Sequence, residues 1–289
     1  MAADAGKLQL FDFGFDHNFT DFIAQPYTFF TALIGGAVFS VASHGTDQLI
    51  VQRLLTTRNV KDSQRALEWS GVVVALQFGL FLFIGLLLYA FYEAQTAQQL
   101  GLATTDEIFA KFIVEQLPVG ISGFIVASLF AAAMSSLSSS LNSLASSTTF
   151  DLYKPYFGKD NTPAEDLRIS RIITVVWAFI LTGSAFFFVF LQLQAGERPA
   201  VVELGLGIAS YTYGGLLGAF LLGRLFSKPD KTDAMAGFFA GLISLLFMVE
   251  GPIHDLLPGE PLAIAWPLYT VVGGLVVVVV GKLSQWIRG

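Results

Sequence analysis

The densest run of groups able to hold a cation is AAAMSSLSSSLNS at positions 131–143, with Ser146 and Ser147 just beyond it. At helical spacing Ser135, Ser139, Asn142 and Ser146 share one stripe, and Ser136, Ser140, Ser143 and Ser147 share the next. A hard monovalent cation such as sodium takes this kind of oxygen ligand: hydroxyls, plus carbonyls freed where a helix is broken, as in the ion sites of secondary transporters. The same spacing equally suits small residues at helix contacts, each hydroxyl bonded back to a carbonyl one turn earlier. Spacing alone leaves both readings open.

The first apolar stretch is interrupted by Gly35-Gly36 and turns polar at Ser40, Ser43, His44, Gly45, Thr46, Asp47 and Gln48. A lipid-facing helix would not carry this polar run. An unwound segment lining a solute cavity would, and so would an ordinary helix end at the inner surface, with Asp47 and Arg53 in surface ion pairs. Gln77 and Glu203 are two further polar groups inside apolar stretches. A carboxylate at membrane depth is expensive and so points to a site, although Glu203 stands close enough to the end of its stretch to snorkel; Gln77 also fits a bond to a neighbouring helix. Gly214 and Gly218 form a small-xxx-small packing face after Tyr211 and Tyr213. Asn18-Phe19-Thr20 is a glycosylation sequon. His44 has no second His or carboxylate at metal-ligand spacing. There is no nucleotide loop, zincin helix or nucleophile elbow, so nothing supports an enzyme or a cofactor.

The elements that must position these groups follow from composition. Charged residues are 13% of the 289, about half the share usual in soluble domains, while 54% are hydrophobic and Phe occurs 28 times. The mean hydropathy of +0.65 lies in long blocks rather than in period-two alternation, which predicts helical spans and not a barrel. A net charge of -6 with no basic, aromatic-interleaved run excludes nucleic acid as a partner. With no cysteine, disulfides and thiolate metal sites are excluded too. A crossing needs roughly 20 apolar residues. Seven stretches come near that: 27–55 (interrupted), 69–92, 119–147, 172–193, 200–222, 234–249 and 262–280.

Of the 16 Lys and Arg residues all but Lys7, Lys111 and Arg198 follow the first, third, fifth or seventh stretch. They are Arg53, Arg58, Lys61 and Arg65; then Lys154, Lys159, Arg168 and Arg171; then Arg224, Lys228 and Lys231; and finally Lys282 and Arg288. Asp4, Asp12, Asp16, Asp21, Asp106, Glu107, Glu115, Glu250 and Glu260 fall in the alternate set. Positive loops stay inside, so the expected topology is N-terminus outside and C-terminus inside. The acidic opening MAADAGKLQLFDFGFD has neither the basic n-region nor the apolar h-region of a signal peptide. Its export is expected either to be unusual or to depend on earlier spans.

Three segments carry a family resemblance. His44 to Leu55, HGTDQLIVQRLL, followed by a basic loop, resembles the D/N-Q-x-x-x-Q-R signature of the sodium/solute symporter family. That family takes in sodium-coupled transporters of sugars, proline, monocarboxylates, vitamins and iodide. LFAAAMSSLSSSLNSLASSTTFDLY at 129–153 is similar to its most recognisable segment, and GLLGAFLLG at 215–223 to a third. The resemblance covers nearly the whole chain. It implies an all-α membrane fold built on two inverted repeats of five helices, of which 27–222 would be the second repeat, 1–26 an outer loop before it and 223–289 two peripheral spans. The first repeat is then expected to be a missing partner.

The resemblance also implies a function: sodium-coupled symport of a small organic solute at the plasma or inner membrane. Two rivals are a fragment inactive by itself and a symporter-like sensory module. By the same resemblance the carbonyl of Ala132 and the hydroxyls of Ser135 and Ser136 match the family's sodium ligands on this helix, their partners lying on the first helix of the missing repeat. Ser138 and Ser139 match a second sodium site found in some members. Ser40 and Ser43 fall where sugar transporters contact substrate, but the aromatic gate expected near Ser43 is absent, which weakens a sugar assignment. Glu203 falls close to a substrate-contacting Gln, where a carboxylate would alter selectivity.

Overall fold

The computed structural model describes residues 11–16, 18–194, 200–227, 229–248 and 264–288. Asp4, Lys7, Arg198, Lys228, Glu250 and Glu260, and the ends of the sixth and seventh stretches at 249 and 262–263, lie outside the described residues. The described residues contain seven helices long and apolar enough to cross a membrane, one for each predicted stretch. They fall into two compact units, Met1–Gln95 with Ala200–Gly289, and Thr96–Pro199.

The first unit holds α1 (Phe19–Ala24), α2 (Phe29–Thr46), α3 (Gln48–Leu55) and α4 (Val60–Phe91). The later part of the chain adds α9 (Val201–Leu225), α10 (Lys231–Met248), a single 3-10 turn at Trp266–Leu268, and α11 (Tyr269–Arg288). Thr28 starts α2: its hydroxyl accepts the N–H of Thr31 at 3.3 Å and donates to the Thr31 hydroxyl at 2.8 Å, and both side chains are buried. Contrary to the interruption predicted at Gly35-Gly36, α2 runs through both glycines unbroken. Gly35 is there for contact. A Cβ on it would meet the carbonyl oxygen of Pro267 at 2.5 Å, whereas one on Gly36 would meet nothing. The break in the first stretch falls instead at Asp47, whose extended backbone separates α2 from α3.

Helices α9, α10 and α11 form the best-packed part of the unit. Gly218 admits α11 so closely that a Cβ would lie 2.5 Å from that of Val277, and Leu222, Leu245 and Val277 are fully buried between the three helices. Their last and first turns are tied at one end. Asp233 is completely buried, accepts the Ser284 hydroxyl at 2.8 Å and pairs with Arg288 at 2.5 Å. Arg288 also reaches Asp230 at 2.6 Å, and Gln285 donates to the carbonyl of Ser227 at 2.6 Å. By contrast α4, capped by Asn59 through the Asp62 N–H at 3.0 Å, buries no residue along its 32. At 1.5 Å per residue it is about 48 Å long, so its first turns, with Lys61, Asp62, Arg65 and Glu68, extend past a hydrocarbon layer of about 30 Å.

The second unit holds α5 (Glu107–Glu115), α6 (Val119–Ser147), a π-helical segment (Thr148–Tyr153), α7 (Lys154–Phe157) and α8 (Pro163–Gln194). The hydroxyl of Ser122 ties the start of α6 to the end of α5 by donating to the Ile113 carbonyl at 2.7 Å. Thr162 and Glu165 make a capping box at the start of α8, with Pro163 in its first turn: the Thr162 N–H reaches Glu165 at 2.8 Å and the Glu165 N–H reaches the Thr162 hydroxyl at 3.4 Å. α6 and α8 pack on each other.

Candidate functional site

All the sodium-ligand candidates lie on α6, which is α-helical without a break from Val119 to Ser147. The expected freeing of carbonyls at a broken helix therefore does not occur at Ala132. Its carbonyl stands inside an intact ladder and keeps one lone pair for an ion. Ala132, Ser135, Ser136, Ser138 and Ser139 are all exposed.

The hydroxyls on this helix divide into two groups. Ser128 donates back to the Phe124 carbonyl at 2.8 Å, and Thr149, just past the helix, to Ala145 at 2.7 Å. Elsewhere Thr174, Ser184 and Ser210 do the same over one turn. Among the described residues, Ser135, Ser136, Ser138 and Ser139 make no such bond, and neither do Ser140, Ser143, Ser146 and Ser147 farther along the helix. The back-bonded arrangement that spacing allowed is therefore not the one found along this serine run.

In the first unit Ser40 and Ser43 separate. Ser40 is exposed, whereas Ser43 is buried and its hydroxyl donates to the Ser40 carbonyl at 3.2 Å and meets His44 Nδ1 at 2.9 Å. His44 Nδ1 also lies 2.9 Å from the Ser40 carbonyl, a contact that needs the proton on Nδ1. Two turns of helix end there, at Asp47. That carboxylate accepts the hydroxyl of Tyr213 on α9 at 2.8 Å, and Phe39 packs edge-on against the same tyrosine ring at 5.2 Å. The sequence had marked Tyr213 only as a neighbour of the packing glycines; the aspartate at a helix break and the tyrosine beside a close helix contact were the available signals, but nothing local joins residues 166 apart.

Glu203 is half-buried in the first turn of α9. Since Phe39 and Asp47 meet α9 at Tyr213, Glu203 stands about 15 Å of helix rise from the level of Ser40 and Ser43. Gln77 is exposed on α4. The four solute candidates are thus not gathered into one cluster: Ser40 and Ser43 share a turn, and Glu203 and Gln77 stand apart from them.

Compared with known proteins, the sodium:solute symporter family model matches residues 5–241. The chain belongs to the sodium:solute symporter family. The chain is 30% identical over 252 residues to the sodium/sialic acid symporter NanT of Aliivibrio fischeri, covering 87% of the chain and 47% of that relative. It is 30% identical over 234 residues to the rabbit sodium-dependent multivitamin transporter, covering 78% and 35%. To the human sodium-coupled monocarboxylate transporter 1 it is 28% identical over 267 residues, covering 90% and 41%. The chain spans under half the length of the curated relatives it matches. It is a multi-pass membrane protein of a transporter family, and sodium is the family's coupling ion.

Proposed function

We propose that this chain supplies the second five-helix repeat and two peripheral helices of a symporter that uses sodium to carry a small organic solute across the cell membrane. Its sodium ligands are the carbonyl of Ala132 and the hydroxyls of Ser135 and Ser136, with Ser138 and Ser139 able to serve a second ion. Other ligands come from a first repeat, so this chain by itself holds one side of each site. Sodium bound to α6 favours an outward-open state; solute then binds, and rocking of one repeat against the other exposes both inside. Coupling arises because sodium binds the two states unequally. Ser40, Ser43, Gln77 and Glu203 face the solute path in this reading, Ser40 and Ser43 closest together. The cargo named for the relatives, sialic acid, vitamins and monocarboxylates, gives the first panel of solutes to try.

The single observation that carries the reading is the exposed run of serine hydroxyls at 135–139, none of which bonds back to a carbonyl as Ser128 does. The orientation, N-terminus outside and C-terminus inside, draws support from the tied end of the first unit, where Arg224, Lys231, Lys282 and Arg288 gather on α9, α10 and α11. The decisive experiment replaces Ser135 and Ser136 together by Ala in the native transporter. Hydrogen bonds to a charge contribute about 1.5–3 kcal/mol each, so the sodium needed for half-maximal uptake should rise at least tenfold. An unaltered sodium dependence would sink the assignment.

A further inference from the structure

The third span continues past the end of its α-helical bonding. After Ser147 comes the π-helical segment Thr148–Tyr153, in which the N–H of Lys154 reaches back five residues to the carbonyl of Thr149. Such a segment holds one more residue than the α-helix it interrupts. Residues upstream of it are therefore turned by about 100° relative to those downstream, compared with an unbroken helix.

This segment is held against α8 from both ends. The indole N–H of Trp177 donates to the hydroxyl of Thr148 at 2.9 Å. At the other end the Lys154 ammonium pairs with the carboxylate of Asp166, which is almost wholly buried. Between them Thr149 is fully buried and bonded to Ala145 at 2.7 Å. Thr148 thus uses its hydroxyl across helices, while Thr149 and Thr174 use theirs within one.

We propose that Trp177 and Thr148 are positioning residues for sodium: their hydrogen bond fixes the rotation of α6 at the π segment and so sets where Ser135 and Ser136 point. The inference rests on the sodium reading of those two serines. Because α6 is unbroken between Thr148 and Ser136, a turn of the helix at its base is carried rigidly to the ligands about 18 Å away. The Lys154–Asp166 pair holds the downstream end while this happens, so a change at Thr148 is taken up by the ligand side.

The test uses sodium alone as probe, on the transporter isolated as its host makes it, with binding read from radioactive sodium and from sodium-dependent thermal stabilisation and with potassium as control. Thr148→Val removes the acceptor at constant shape, Trp177→Phe removes the donor, and Thr148→Ser restores the acceptor. Losing one neutral hydrogen bond corresponds to about a fivefold rise in the sodium concentration for half-saturation, expected for Thr148→Val and for Trp177→Phe. The double variant should be no worse than either, and Thr148→Ser should bind as the parent does. If Trp177→Phe does not fold, Thr148→Val against Thr148→Ser still decides. Sodium affinity unchanged in Thr148→Val, while the Ser135→Ala, Ser136→Ala variant binds sodium more weakly, overturns the positioning role and leaves the sodium reading standing. Unchanged affinity in the serine variant overturns the sodium reading and this inference with it.

Discussion

At the scale of single residues, the contrast between bonded and unbonded hydroxyls is the informative feature of α6. A serine in an apolar helix usually satisfies itself on the carbonyl one turn back, as Ser128 does. Where consecutive serines do not, their oxygens are available to a ligand. Asp47 is a different case, since its carboxylate is met by Tyr213 at 2.8 Å. Removing the hydroxyl with Tyr213→Phe should lower stability by about 1.5–3 kcal/mol, because a bond to a charged acceptor is lost without a change of shape. Thermal unfolding in detergent measures it; a melting temperature equal to the parent's would mean that the contact contributes nothing.

At the scale of elements, α2 and its two glycines make the sharpest contrast. Two adjacent glycines in a predicted span look like a hinge, yet α2 passes through them as a regular helix. Only Gly35 is in contact, against the backbone and ring of Pro267. Gly35→Val is therefore expected to reduce folded yield and melting temperature sharply, and Gly36→Ala to leave both as they were. Equal effects at the two positions would overturn the contact role assigned to Gly35 alone. The tie between the ends of α9, α10 and α11 gives a pH expectation. The Lys231 N–H, then the Thr232 hydroxyl and Arg288, hold the Asp230 carboxyl below the ordinary carboxylate value. A folded pKa lower than the unfolded one means that its contribution is complete above about pH 4 and is lost as pH falls through the lowered folded value. Arg288→Met should flatten part of that acid loss in a melting-temperature profile, and an identical profile would exclude Arg288 from it.

At the scale of the whole molecule, what matters is which faces the chain covers by itself. The first unit buries its core where α9, α10 and α11 meet, whereas α4 buries nothing. Lipid or the proposed first repeat must cover such faces, since apolar surface of this extent is not stable in water. The proposed topology can be checked because the chain has no cysteine. A cysteine placed at Asp16 should react with an impermeant maleimide on intact cells, and one placed at Lys282 only after the membrane is opened. The reverse pattern would invert the orientation and with it the outward-facing start of the transport cycle.

The sequence by itself determined the class, the seven spans and the family, because long apolar blocks, uneven Lys and Arg, and short contiguous motifs are all properties of neighbouring residues. Tertiary structure alone decided that Gly35 packs while Gly36 does not, that the first stretch breaks at Asp47, that Tyr213 meets it, and that Trp177 holds Thr148 at a π segment. Those facts depend on which helix lies alongside. A hydroxyl's partner is set by local geometry only when it bonds back one turn; where that bond is not made, as at Ser135 and Ser136, any partner must come from elsewhere in space, and no spacing along the chain encodes it.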